Sequence, residues 1–137
     1  MSYLLDTNVL SELVKPEPNP SVVDWFSDKP DESLCISVLT LGEIRKGIEA
    51  LQVGKRKERL RVWLEYDLRD WFGTRVLPVD APVADRWGRV LAQARRPMPS
   101  IDSLLAATAL HHELRLVTRN VHDFRYPGLE VINPWEG

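Results

Sequence analysis

The stretch that decides the fold reads LLDTNVLSE at residues 4–12. Residues 3–5 are apolar and predict a short buried strand that ends at Asp6. Behind this acid, apolar residues at helical spacing run to Leu13, and Pro16 then breaks the chain. A strand that turns directly into a helix is typical of a parallel α/β domain, and it places Asp6 at the carboxyl end of the first strand.

The rest of the chain repeats this alternation of short apolar runs and helical patterns. Further strands are predicted at 34–37, 76–79, 116–118 and 131–132, and further helices at 21–26, 41–51, 56–72, 82–95 and 101–113. The helices 41–51 and 56–72 are expected to form a helical hairpin around Gly54. We therefore expect a single α/β domain over residues 1–137, with a central parallel sheet of four to five strands flanked by helices.

Polar residues follow the predicted strands. Asp6 comes directly after the first strand, Glu43 lies on the helix after the second, and Asp102 opens an alanine-rich helix. Asn120 and Asp123 follow the fourth strand. Because ligands of open parallel sheets bind beyond the carboxyl ends of the strands, we expect these side chains to share one crevice. Gathered carboxylates repel one another unless a cation offsets their charge, and oxygen ligands without His or Cys favour Mg²⁺ or Mn²⁺.

Each acid also has a structural alternative. Asp6 is well placed to cap the first helix, Asp102 to interact with a helix dipole, and Asp123 to cap the turn before Phe124. Asn8 argues against a simple cap at Asp6, because an amide two residues further on is well placed to hydrogen-bond a carboxylate and hold its orientation. Four strand-end positions in one topology together favour a metal site.

Glu43 taken alone would be a solvent-facing residue of an amphipathic helix. Its neighbours Gly42 and Gly47 indicate otherwise. Glycine inside a helix costs about 1 kcal/mol relative to alanine, so two glycines predict that another part of the molecule packs closely against this helix.

Composition narrows the class of protein. The chain has 137 residues, of which 44% are hydrophobic and 28% charged, as in an ordinary soluble domain. Its net charge of −2 gives no basic excess for nonspecific nucleic-acid binding, but without the four acids of the crevice it becomes −2 + 4 = +2. The densest basic cluster spans Lys55 to Arg61, and both a solvated helix face and a nucleic-acid contact remain open for it.

The cellular location is predicted from the first residues of the chain, its apolar runs and its cysteine content. Cys35 is the only cysteine and lies in a predicted buried strand, so an intrachain disulfide is excluded. The first residues lack the charged and apolar regions of a signal peptide, and no apolar run approaches the ~20 residues of a membrane helix. A cytoplasmic protein without membrane contact is expected.

Four motifs resemble, in order, those of PIN-domain ribonucleases. They read LLDTNVLSE at 4–12, SVLTLGEIRKG at 37–47, IDSLLAATA at 101–109 and VTRNVHDF at 117–124. The chain is most similar to the toxins of VapBC and FitAB toxin–antitoxin pairs. KPEPN at 15–19 and NPW at 133–135 resemble the FitB branch in particular. Four ordered motifs that span nearly the whole chain are far more specific than any one of them.

The resemblance implies a three-layer domain with an acidic pocket that binds Mg²⁺ or Mn²⁺ and hydrolyses RNA phosphodiesters. Its three main acidic positions match Asp6, Glu43 and Asp102. The fourth position stays open between Asn120 and Asp123, although Asn120 lies nearer the strand end and is expected to touch the pocket. Thr7 and Thr118 match polar positions that orient groups around the metal, as Asn8 is expected to do.

The expected mechanism follows from these ligands. A metal ion held by Asp6 and Asp102, with Glu43 bound directly or through water, lowers the pKa of a bound water and neutralises charge on the phosphate. Histidine chemistry is a poor alternative, because adjacent residues His111 and His112 on a helix face different directions and His122 is isolated. The five tryptophans are expected to be mostly core residues.

The resemblance also implies partners. They are a homodimer formed through helices, and a cognate antitoxin whose DNA-binding half carries the pair to its operator. The antitoxin's other segment is expected over the hairpin near residues 51–71, with an arginine reaching the carboxylates. Two alternatives remain. An aspartate-nucleophile phosphohydrolase would need a second Asp where Asn8 stands, and a catalytically silent PIN-like domain would bind only protein or RNA.

Overall fold

A five-stranded parallel sheet forms the centre of the computed structural model, which describes residues 1–136. The strand order is β3-β2-β1-β4-β5, so the first strand of the chain lies in the middle. The strands are β1 (Tyr3–Leu5), β2 (Leu34–Ser37), β3 (Val76–Leu77), β4 (Arg115–Val117) and β5 (Val131–Ile132). All four pairings are parallel, which confirms the predicted fold class, and a strand is present at each predicted place.

Seven α-helices connect these strands in the described part of the chain. They are α1 (Thr7–Leu13), α2 (Pro20–Ser27), α3 (Val38–Glu49), α4 (Lys55–Val62), α5 (Leu68–Phe72), α6 (Ala81–Gln93) and α7 (Ser100–His111). A π-helical segment, Trp63–Asp67, joins α4 to α5, so the predicted helix over 56–72 is one continuous rod. It packs on α3, and the two form the expected hairpin. No helix within residues 1–136 is long and apolar enough to span a membrane.

Side chains of β1 alternate between the two faces of the sheet and so connect the three layers. Leu5 packs with α1, α2, α3 and the α4–α5 rod, in a core that includes the buried Phe72. Leu4 points the other way and packs with α7, where Leu105 and small alanines let the helix lie close to the sheet. Leu4 and Leu5 are both fully buried, which makes β1 the central support of the site.

Two sequence expectations about backbone need correction. β3 ends at Leu77 instead of at residue 79, because Pro78 has no N–H to donate to a neighbouring strand. Close packing against Gly42 and Gly47 is wrong: a Cβ built at either position would meet nothing within 4 Å. Both glycines are exposed, and Gly47 lines a groove together with Ile44 and Ile48.

The aromatic residues follow the expectation in part. All five tryptophans are half-buried and pack at the edges of the apolar clusters. The His111 and His112 rings meet edge to face with centroids 4.7 Å apart, so the expectation that they point apart is wrong. The reason is that α7 ends at His111, and His112 has left the helical conformation.

Candidate functional site

Asp6 lies at the carboxyl end of β1, where its backbone N–H donates to the Val117 carbonyl at 2.9 Å. One carboxylate oxygen accepts from the backbone N–H of Thr7 at 2.8 Å, and so Asp6 caps α1. Its other oxygen accepts from the Thr118 hydroxyl at 2.8 Å. The residue is only 8% exposed. Asp6 therefore serves as a helix cap and as a member of the crevice at once.

Thr118 holds the Asp6 carboxylate from the end of β4. Its buried hydroxyl donates to Asp6 and accepts both from the backbone N–H of Asn120 at 3.0 Å and from the Asn8 side chain at 3.4 Å. Asn8 thus supports Thr118. The sequence suggested a direct hydrogen bond from Asn8 to the carboxylate, and that expectation is wrong. The Arg119 N–H in turn donates to the Asn8 side-chain oxygen at 3.4 Å. These bonds fix the orientation of Asp6.

Glu43 is placed by α3, which begins directly after β2. Ser37 caps this helix by accepting from the Leu39 N–H at 3.1 Å. The Thr7 hydroxyl then donates to a Glu43 carboxylate oxygen at 2.7 Å. Thr7 follows Asp6 in sequence, so this bond links the ends of β1 and β2 and brings Glu43 into the same crevice.

Asp102 lies in the first turn of α7 and is half-buried. Burial is the largest cause that raises the pKa of its carboxyl to about 6, and the remaining causes are the negative charges of Asp6, Asp123 and Glu43. Burial also raises the pKa of Asp6, against the opposing hydrogen bonds from Thr118 and Thr7, and the same neighbouring acids add to it. The charges of Glu43 and Asp123 act on both Asp6 and Asp102, as expected for acids that share one crevice.

Asn120 and Asp123 lie on the short turn after β4, and both are exposed. The Asp123 N–H bonds the Asn120 carbonyl at 3.0 Å, which closes a 3₁₀ turn and brings the chain back toward the sheet. The charge of Asp123 acts on Asp6 and on Asp102. Asn120 makes no capping bond with its side chain, and its contact with the pocket stays a prediction.

The crevice offers only oxygen donors to a divalent cation. Within residues 1–136, no three His, Cys, Asp or Glu side chains are already arranged as a metal-binding group. Threonine hydroxyls hold two of the acids instead, Thr118 on Asp6 and Thr7 on Glu43. The remaining electrostatic strain is that of several carboxylates in one partly buried place, which a hard cation would relieve. All-oxygen donors with excess negative charge fit Mg²⁺ or Mn²⁺.

Two buried polar residues near these motifs were not singled out from the sequence. Glu12 accepts from Lys15 Nζ at 2.8 Å and from the Asn19 N–H at 2.9 Å, so it ties the proline-rich loop to α1. Thr40 is fully buried, and its hydroxyl has no partner within the described residues. Its position three residues before Glu43 was the available signal, because residues at this helical spacing share a face.

A groove of about 240 Å³ leads away from the crevice across the helical hairpin. Thr7 and Glu43 line one end of it. Its walls are mainly apolar and come from α3, α4 and the π-helical segment, including Ile44, Ile48, Leu51, Leu60 and Trp63. The acidic site therefore opens onto a surface that an apolar peptide could cover.

Comparison with known proteins identifies the family. Residues 3–127 match the PIN domain. The chain belongs to the PIN-domain family. This PIN-domain protein is 37% identical over 135 residues to the toxin FitB of Neisseria gonorrhoeae, covering 96% of the chain and 97% of that toxin. It is also 37% identical over 136 residues to the VapC ribonuclease Y4jK of Sinorhizobium fredii, covering 97% of both proteins.

Solved PIN-domain structures show the same fold. The crystal structure of FitAcB from Neisseria gonorrhoeae superimposes with a TM-score of 0.92 at 36% identity, covering 98% of this chain and 99% of that one. A structure of FitAB bound to a DNA fragment gives a TM-score of 0.89 at 34% identity, covering 97% and 95%. The predicted family and its three-layer fold are confirmed.

Proposed function

We propose that this PIN-domain protein is the ribonuclease toxin of a toxin–antitoxin pair and hydrolyses RNA phosphodiester bonds with Mg²⁺ or Mn²⁺. The observation that carries the proposal is the meeting of Asp6 and Glu43 at the ends of β1 and β2, where Thr7 links them and where burial, and then the charges of Glu43 and Asp123, raise the pKa of Asp6 and of Asp102. Relatives named as VapC ribonucleases and the FitB toxin support the activity. An RNA substrate also agrees with the cytoplasmic location predicted from the sequence.

The residues that would hold the cation have defined tasks. Each oxygen of Asp6 accepts one hydrogen bond, which leaves lone pairs free for a metal. Asp102 is the second direct ligand, and Thr7 orients Glu43 as the third carboxylate. When bound, the ion would neutralise charge on the scissile phosphate and lower the pKa of the attacking water. Thr118 and Asn8 keep the site ordered before the ion binds.

The fourth polar position stays open between Asn120, which lies nearer the end of β4, and Asp123 at the border of the crevice. Asp123 carries charge that reaches two of the other acids, whereas Asn120 can offer only an amide oxygen. Whether the site holds one or two ions depends on this position, because a second cation needs a further negative ligand.

The proposed antitoxin binds the groove on the helical hairpin. Its apolar walls suit an amphipathic peptide, and Glu43 at one end could pair with an arginine of that peptide. FitAB and VapBC structures bound to DNA support a complex that reaches operator DNA through the antitoxin. A homodimer formed through helices completes the proposed assembly.

The test is cleavage of RNA by the purified protein, freed of any antitoxin, with and without Mn²⁺. We expect cleavage that requires Mn²⁺ and is lost in Asp6→Asn, which keeps the side-chain size and removes the charge. Asp70→Asn, an exposed change on α5, is the matched control and should cut like the wild type. Binding of RNA without cleavage would favour the silent PIN-like domain, and cleavage by Asp6→Asn would exclude the mechanism.

A further inference from the structure

A second cavity, of about 320 Å³, lies beside the acidic crevice. We call it the arginine cleft. It is formed by the end of α6, the segment that follows it and the turn after β4, and its polar lining consists of Gln93, Arg95, Arg96, Asp123, Arg125 and Tyr126. Asp123 belongs to both places, so the cleft and the crevice share a border.

The three guanidinium groups in the cleft lack acidic partners. Within residues 1–136, neither Arg95, Arg96 nor Arg125 forms an ion pair with a carboxylate. Arg45 and Arg61 both contact Glu65, whereas several arginines outside the cleft are also without an ion pair among the described residues, so the distinguishing feature of the cleft is that three such side chains share it. The cleft therefore concentrates three uncompensated positive charges next to a negative site.

Contacts with the turn hold this cleft in place. Arg96 donates to the His122 carbonyl, and Arg125 lies 2.9 Å from the His122 ring nitrogen Nδ1. On the other side, the Tyr126 hydroxyl donates to Gln93 Oε1 at 2.6 Å and closes the turn onto α6. His122, which looked isolated in the sequence, thus contacts both Arg96 and Arg125. These contacts orient the Arg96 and Arg125 guanidinium groups.

An RNA strand that approaches an acidic site needs positive charge nearby, and this cleft offers it. Every nucleotide beside the scissile bond carries a phosphate, and the four crevice acids repel it. Arginine binds phosphate oxygens with paired N–H donors. Tyrosine and arginine side chains also offer faces on which bases of single strands stack. We propose that the arginine cleft binds the RNA phosphates that flank the scissile one, and that Arg95, Arg96 and Arg125 position the strand across the crevice.

This inference rests on the proposed ribonuclease function, and its test separates the two. The main variant is the triple change Arg95→Gln, Arg96→Gln and Arg125→Gln. A matched control, Arg69→Gln, Arg86→Gln and Arg89→Gln, removes the same charge at positions that do not line the cleft. Arg86 lines a cavity with residues at the amino ends of β1 and β4, at the opposite edge of the sheet.

Binding is measured first, by fluorescence anisotropy of a short labelled single-stranded RNA of mixed sequence, in EDTA and over a series of KCl concentrations. The cleft variant should bind about tenfold more weakly, and its salt slope should fall by about two, since each phosphate contact on a single strand contributes about 0.7. A third variant with lysine at the three positions should recover most of the affinity, because it restores the charge.

Cleavage in Mn²⁺ gives the second readout. KM should rise about tenfold in the cleft variant while kcat stays within about twofold, because the cleft binds RNA outside the reacting atoms. If wild-type protein cuts RNA but the cleft variant binds and cuts like the control, the cleft proposal is overturned and the proposed function stands. If the wild type neither binds nor cuts RNA, the proposed function fails and the cleft proposal falls with it. Loss of antitoxin binding alone would assign the cleft to protein and also overturn the proposal.

Discussion

Individual residues of the crevice carry charge at the expense of stability. The pKa of Asp102 is about 6 in the fold and 3.8 in the unfolded chain. Between these values the unfolded chain loses its proton first, so the free energy of unfolding falls as pH rises through this window. Asp102→Asn removes this loss. Without metal, the variant should be more stable than wild type near neutral pH by about 1 kcal/mol, a value reduced for partial exposure.

Urea unfolding of both proteins in EDTA over a pH series checks this prediction. The difference between the two proteins should shrink toward zero below pH 3.8, where both states of the wild type are protonated. An Asp102→Asn protein that is less stable than wild type near neutral pH would contradict the picture of mutually repelling acids.

Asp123 should matter less than Asp102 because it is more exposed and lies at the border of the crevice. We expect Asp123→Ala to reduce Mn²⁺-dependent cleavage by about 10–100-fold, as supporting residues of metal sites do, and Asp102→Ala to abolish it. Initial rates at saturating RNA measure both. Equal and complete loss in two folded variants would make Asp123 an equal ligand.

The Thr118 hydroxyl should affect both folding and cleavage. Thr118→Val deletes a buried group that bonds Asp6, Asn8 and the Asn120 N–H, at a cost of about 1–3 kcal/mol. Thr108→Val is the control, because Thr108 is also buried but donates only to the Leu104 carbonyl within α7. Denaturant midpoints and initial rates should fall together for Thr118→Val and stay near wild type for Thr108→Val.

The sequence indicated candidate site residues more readily than the contacts between them. The positions of Asp6 and Glu43 follow from strand ends, which the apolar pattern marks clearly, whereas Asp102 lies on α7, which follows α6 and not a strand. The bond from Thr7 to Glu43 spans two segments distant in sequence, and no local pattern encodes it. The same holds for Asn8, whose partner is Thr118 and not a carboxylate.

At the scale of elements, α3 contains a glycine that should lower the stability of the helix. Gly47 lies in the helix with open space where a Cβ would be, so Gly47→Ala should raise the free energy of unfolding by up to about 1 kcal/mol. Gly73 ends α5 at φ +53°, a region that strains residues with a Cβ, and Gly73→Ala should lower it by about 1 kcal/mol. Chemical unfolding of the two alanine variants distinguishes them. A loss of stability in Gly47→Ala would show that α3 is packed after all.

The same helix shows why elements were predicted better than their surroundings. Apolar spacing located α3, and Pro78 explains why β3 is short. Packing against Gly42 and Gly47 could not be deduced, because a helical glycine has the same local signal whether it faces a neighbour or open solvent. The π-helical segment inside the α4–α5 rod likewise leaves no mark in a period of three to four residues.

The whole molecule separates its charges. A net charge of −2 hides an acidic crevice at the carboxyl edge of the sheet and an arginine cleft beside it. The sequence left open whether the basic cluster at Lys55 to Arg61 is a solvated helix face or a nucleic-acid contact, and in the fold Arg61 pairs with Glu58 and Glu65. Clustering depends on which side chains meet in three dimensions, so counting charges along the chain could not show that Arg95, Arg96 and Arg125 share one cleft.

Calorimetric titration of metal-free protein with Mn²⁺ tests most directly whether the crevice acids form one cation site. The account predicts saturable binding by the wild type, its loss in Asp6→Asn and in Asp102→Asn, and wild-type binding in the exposed control Asp70→Asn. Binding that persists unchanged in Asp6→Asn, or a wild type that takes up no Mn²⁺, would contradict it.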